Sequence, residues 1–185
     1  MGIFDVLRYI KDIENLFVEY WGQILRYLIT GATGFIGREL ISQIQKNGDA
    51  FELITRNAKK AEEIFPDADE IHQIDLTNQV PKGNIFKDID VVINLAGEFV
   101  FGFWGWTKSK KASIYDSRVL LTRNLVNGIN HSGNNSISMV STSAVGYYTQ
   151  SGNKKILDEV SGNGTQFLSK VCFDWENEAI SAQGF

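Results

Sequence analysis

Gly31-Ala32-Thr33-Gly34-Phe35-Ile36-Gly37 sets three glycines at steps of three, between the apolar run Leu25 to Thr30 and an amphipathic stretch from Phe35 to Asn47. A glycine-rich turn at such a junction lets bare backbone approach a diphosphate, and the following helix directs its positive end and free N–H groups at the anion. No basic side chain is required. The spacing is weak evidence alone; its placement after a strand and before a helix gives it meaning. Gly31, Thr33, Gly34, Phe35, Ile36 and Gly37 are therefore the candidate phosphate-binding residues.

Further chemistry is ordered around that motif. Thr55-Arg56-Asn57 ends the second strand-like run, where NAD-selective domains carry an acid for the ribose hydroxyls. Arg56 there can pair with an adenosine 2'-phosphate that an acid would repel, so the expected cofactor is NADP(H). Asp75 and Leu76 close the third run beside the adenine pocket, and Leu95, Ala96 and Gly97 follow the fourth along the cofactor path. Equally plain roles exist: Asp75 capping a turn, Ala96 and Gly97 allowing close packing. Ser143, Tyr147 and Tyr148 bring hydroxyls that could orient a substrate or carry a proton, although loop hydroxyls also bond backbone and tyrosines also simply pack. Lys108, Lys110 and Lys111 read as a solvated helix start that could attract an acidic substrate.

The positioning elements follow from hydropathy. Strands are expected at Leu25 to Thr30, Phe51 to Thr55, Ile71 to Asp75, Asp90 to Leu95 and Ser136 to Thr142. Helices are expected at Phe35 to Asn47, Ala58 to Phe65, Trp106 to Asn130 and Thr165 to Ala182, the last with Phe167, Val171, Cys172, Trp175 and Ala179 inward. This alternation describes an α/β fold, a doubly wound parallel sheet. Residues 1–24 form a separate expectation: Ile3, Phe4, Leu7, Ile10, Ile13, Phe17, Tyr20, Trp21 and Ile24 make the stripe of an amphipathic helical extension. It could dock on its own domain, join copies into a homo-oligomer or lie on a membrane, and the mixed charges of its other face disfavour the last. The division is thus 1–24 extension and 25–185 dinucleotide-binding domain.

Composition narrows the classes. The 185 residues are 43% hydrophobic and 22% charged, which suits one globular domain, and a net charge of -4 offers no broad basic surface for nucleic acid. Cys172 is the only cysteine, so no disulfide can form within the chain and a reducing, cytoplasmic setting is expected. His72 and His131 lie far apart in sequence without a carboxylate cluster at ligand spacing, so they read as surface histidines and no metal is expected. No apolar run reaches the ~20 residues of a membrane span.

Gly31 to Gly37, Thr55-Arg56-Asn57, Asn94-Leu95-Ala96-Gly97-Glu98, Trp106, Ser117-Arg118, Ser143 to Tyr148 and Asp174-Trp175-Glu176 occur in that order. Together they resemble the epimerase-family branch of the atypical, extended short-chain dehydrogenases, from Leu25 to Phe185. The resemblance implies a Rossmann fold holding NADP(H), with Ser143 as a substrate-orienting serine. It also implies a catalytic Tyr with a Lys four residues later, but no tyrosine of this chain has lysine at that spacing, and Phe167 and Val171 stand in those places. Phe167 cannot transfer a proton. The family pattern continues past Gln183-Gly184-Phe185 into a further strand and a substrate region, so the chain reads as truncated before its carboxyl-terminal substrate region. Two functions follow: an NADP(H)-dependent oxidoreductase or epimerase-like enzyme for a small carbonyl or sugar-like substrate, or a catalytically silent NADP(H)-binding protein serving a partner.

Overall fold

The structure, a computed structural model, describes residues 24–100, 106–148 and 156–182. The expected helix over 3–24 falls almost wholly outside the described residues. Five strands carry the domain: β1 Arg26–Thr30, β2 Ala50–Thr55, β3 Glu70–Gln73, β4 Val91–Asn94 and β5 Ser138–Ser141. All pair in parallel, in the order β3-β2-β1-β4-β5. The chain therefore runs outward from β1 in one direction and then returns to continue in the other. The helices are α1 Phe35–Asn47, α2 Ala58–Ile64, α3 Lys108–Asp116, α4 Val119–Asn130 and α5 Phe167–Ile180.

Side-chain alternation along β1 builds two cores. Tyr27 and Ile29 join Phe51, Leu53, Val91 and Ile93 beneath Leu40, Ile41 and Ile44 of α1 and Ala61 of α2. Leu28 joins Ile54 and Val92 on the opposite face, under Leu121, Leu125 and Ile129 of α4. A sheet buried on both faces needs apolar residues in both registers, which β1 and β4 supply. Helix α5 packs on α4 and the single helical turn Val145–Tyr147, burying Val171, Cys172 and Trp175. Phe167 and Ala179 are half-buried rather than fully inward.

The helix expected over Trp106 to Asn130 is two helices, broken at Ser117 and Arg118. Thr107 sets the start by accepting the Lys110 N–H at 3.1 Å. At the break, the Ser117 hydroxyl donates to Ile114 O and accepts the Glu98 N–H, while the Arg118 guanidinium donates to the carbonyls of Glu98 and Ile114. The Arg118 N–H turns to Tyr115 O, one residue short of the α-helical step, while the two side chains bind both Ile114 of α3 and the distant Glu98. Asp75 also moves: β3 ends at Gln73, and Asp75 opens a turn.

One buried polar group ties the sheet's carboxyl ends together. Thr30 Oγ1 donates to Asn94 Oδ1 at 2.7 Å, and Asn94 Nδ2 donates to Thr122 Oγ1 at 2.8 Å and Ser141 Oγ at 3.3 Å. Asn94 is fully buried and so connects β1, β4, β5 and α4 where any ligand cleft must open. Replacing Asn94 by Ala leaves two threonine hydroxyls without that partner, and should cost about 3 kcal/mol of unfolding free energy. Denaturant unfolding measures it; a loss below about 1 kcal/mol would show that the network does not matter.

Candidate cofactor-binding site

The strand order reverses between β1 and β4, and the crevice at that reversal lies at the carboxyl ends of the strands. Gly31 turns the chain there with φ of 71°, a left-handed conformation that favours glycine. A Cβ on Gly31 would stand 2.7 Å from Ala96 N and Leu95 C, so the turn rests directly on the segment after β4. The Gly34 N–H donates to Gly31 O at 3.0 Å and closes the turn. Gly34 is also the N-cap of α1, where no side chain caps the helix. Gly37 serves the packing of the helix instead. Its Cβ would lie 2.5 Å from Ala32 O, so glycine there lets α1 approach the turn. The result is a cradle of backbone with an uncapped thirteen-residue helix behind it, and these residues fit a diphosphate.

Gly31, Thr33, Gly34, Arg56, Asp75, Leu76, Leu95, Ala96 and Gly97 line one continuous cleft. Phe35, Ile36 and Gly37 do not contribute to its lining. Phe35 points to solvent, Ile36 is half-buried and Gly37 packs on Ala32. The helical direction of Cβ explains this, because first-turn side chains leave the axis while the unpaired backbone N–H groups point along it, out of the helix start.

Asp75 is held by its own turn. Its carboxylate accepts the Thr77 hydroxyl at 2.7 Å, the Thr77 N–H at 3.0 Å and the Asn78 amide at 2.8 Å. The Thr77 hydroxyl chiefly, with Asn78 and the charge of Arg56 adding, holds the carboxyl below the usual aspartate range against the opposing effect of burial. Thr77, Glu98, Ser117 and Leu121 also line the cleft and are not among the residues expected from sequence. The Asp-Leu-Thr-Asn turn is a readable signal for Thr77. Glu98 stands in the Asn94-to-Glu98 motif, but its pairing does not show there: its carboxylate accepts from Lys110 Nζ at 2.6 Å across twelve residues.

The hydroxyl candidates lie elsewhere. Ser143 donates to the Glu176 carboxylate of α5, and the Tyr147 and Tyr148 rings meet edge-on at 5.3 Å. None of the three lines the cleft described above. Desolvation, with the nearby Glu159 and Glu176 charges adding, raises the Tyr148 phenol above its ordinary pKa. Phe167 meets Trp106 at 5.6 Å, with Lys111 Nζ 5.4 Å from its ring centre, and Val171 is buried. Hydrophobic packing thus occupies the positions that resemblance gave to Tyr and Lys.

His72 is not the surface residue expected. Parallel pairing sets Glu52 opposite Glu70, and His72 Nε2 lies 2.9 Å from Glu52 with Nδ1 3.5 Å from Glu70. Their donor atoms fall within 4.8 Å of one another, a closeness that chain order concealed. Arg26 also engages Glu52 at 3.4 Å and Asp69 at 2.9 Å, which makes the group a mixed-charge network. His131 is exposed, with Nδ1 2.6 Å from Asn127 O.

Residues 27–185 match the sequence model of the NAD dependent epimerase/dehydratase family. The chain belongs to that family. An Arabidopsis thaliana relative, the chloroplastic epimerase family protein SDR39U1 homolog, is 36% identical over 156 residues, spanning 83% of this chain and 44% of that protein. The nucleoside-diphosphate sugar epimerase of Corynebacterium glutamicum superposes with TM-score 0.68 at 33% identity, over 87% of this chain and 31% of that one. Human epimerase family protein SDR39U1, solved with NADPH, gives TM-score 0.65 at 26% identity over 84% of this chain and 48% of that one. This epimerase-family chain therefore spans about half the length, or less, of these relatives. Its five-stranded parallel sheet with flanking helices is their Rossmann-type fold. Among the described residues, no helix is long and apolar enough to cross a membrane.

The Asp75 turn gives a signed pH test. A carboxylate with a depressed folded pKa adds stability above its unfolded value, and loses that contribution as pH falls through the folded value. Wild type should exceed Asp75→Ala by about 1 kcal/mol at neutral pH, with the gap closing as pH drops below ~3.9. Paired thermal melts from pH 7 to pH 2 read this directly, and a gap that persists undiminished in acid would contradict it.

Proposed function

We propose that this domain binds NADP(H), as the cofactor half of an epimerase-family oxidoreductase or epimerase acting on a small carbonyl or sugar-like substrate. Arg56 carries the reading. It follows β2 at the rim of the cleft, within electrostatic reach of Asp75, and no acidic residue replaces it at the strand end. The backbone cradle would take the diphosphate, Arg56 the 2'-phosphate, and the Asp75-to-Thr77 turn would shape the adenine side. The NADPH in the human relative's structure supports the same choice. Bound nicotinamide would supply hydride chemistry, and the chain's part is to bind, orient and exclude water. A nucleoside-diphosphate sugar is the first substrate class to try, by likeness to the Corynebacterium enzyme. The extension over 1–24 and a cytoplasmic setting belong to this proposal, the latter resting on the single, buried and free Cys172.

A second reading, NADP(H) binding without turnover, draws on one observation: Phe167 and Val171 are packed where proton-transfer groups would stand. Reduction of a panel of small carbonyls and sugar nucleotides, abolished by Ser143→Ala, favours the enzyme. NADPH binding with no reduction anywhere in the panel favours the silent protein.

Calorimetric titration tests the cofactor directly. Arg56→Ala should weaken NADPH by about 1.5 to 3 kcal/mol, the range of a lost charge-assisted hydrogen bond, and barely affect NADH. Equal losses for both dinucleotides would overturn the assignment.

A further inference from the structure

The break between α3 and α4 leaves an arginine in an unusual place. Arg118 is half-buried, and among the described residues it forms no ion pair within 4.0 Å. Its Nη1 donates to Glu98 O at 3.1 Å and Ile114 O at 3.4 Å, and its guanidinium carbon lies 5.5 Å from the Trp175 ring centre. Ser117 Oγ accepts the Glu98 N–H at 2.9 Å. Both backbone polar groups of Glu98 are thus held from one helix break, while Lys110 holds its carboxylate. Gly97 sits directly against the guanidinium: a Cβ there would come within 3.1 Å of Arg118 Cζ and Nη2. Gly97, Glu98 and Ser117 all line the dinucleotide cleft, on the side of the glycine turn away from Arg56 and Asp75.

We infer that Ser117 and Arg118 form a clamp that sets the position of the Gly97-Glu98 ridge, making Arg118 a positioning residue for the nicotinamide half of the bound dinucleotide. A Cβ at residue 97 would press on the guanidinium and push it off the Glu98 carbonyl, so the two residues form one coupled unit. Burial lowers the Arg118 pKa from its ordinary value, yet arginine remains charged at any physiological pH, so the clamp does not switch with pH. The inference rests on the NADP(H) reading, and it assigns the adenine half of the ligand to contacts that Arg118 does not touch.

The test uses the intact chain and two probes, NADPH and adenosine 2',5'-bisphosphate, which has the adenine half without nicotinamide. Arg118→Ala and Gly97→Ala should each weaken NADPH about tenfold while changing the bisphosphate by less than about twofold. In the double variant the added methyl has room, so Gly97→Ala should add less than about twofold to the loss from Arg118→Ala. Arg118→Lys, whose single ammonium cannot bond the Glu98 carbonyl and also keep the guanidinium's place over the Trp175 ring, replaces Arg118→Ala if the latter melts below assay temperature. Equal losses for both probes, or losses that multiply in the double variant, would overturn the clamp. If wild type bound neither probe, the cofactor reading would fall first and take the clamp with it.

Discussion

Two missing methyl groups govern how closely this chain can fold on itself. Without a Cβ, Gly31 lies on the backbone of Leu95 and Ala96, and Gly37 lets α1 settle on Ala32. Either Cβ would meet backbone atoms under 3.0 Å away, in the segments that leave β1 and β4, and backbone cannot swing aside as a side chain can. That double approach fixes the angle at which α1 leaves β1. The uncapped end of α1 consequently stands at the strand reversal, an arrangement that suits a diphosphate without using a charged residue.

Polar bonds then secure what close packing has placed. Asn94 joins three strands and α4 from inside the protein, and Asp75 builds its own turn with Thr77 and Asn78. Ser117 and Arg118 reach from a helix break to hold Glu98. These bonds occur where irregular backbone leaves the sheet, and they give the cleft walls fixed positions on either side of the glycine turn.

The sheet is legible in the sequence because buried parallel strands are written as apolar runs, and β1, β2 and β4 differ from expectation by at most a residue at each end. The glycine turn between β1 and α1 is legible because glycine spacing and strand-to-helix context agree. The helix break is not. Ile114, Leu121 and Leu125 keep helical spacing on both sides of Ser117, and the groups that draw Ser117 and Arg118 away belong to Glu98, about twenty residues earlier. His72 misleads for the same reason, since its carboxylate neighbours are assembled by strand pairing. Ser143 stands out as a loop hydroxyl, but its partner Glu176 comes from α5. Local pattern reveals elements; contacts between distant segments require the fold.

Family membership and fold together explain why this architecture suits a nicotinamide dinucleotide, while chemistry at the substrate depends on residues beyond the glycine cradle. The most direct measurement is the position of the dinucleotide in a crystal of the protein grown with NADPH. Diphosphate density resting on the Gly31-to-Gly37 backbone at the start of α1 is the expected result. A bare cradle, with the nucleotide ordered in another cleft, would contradict the central claim.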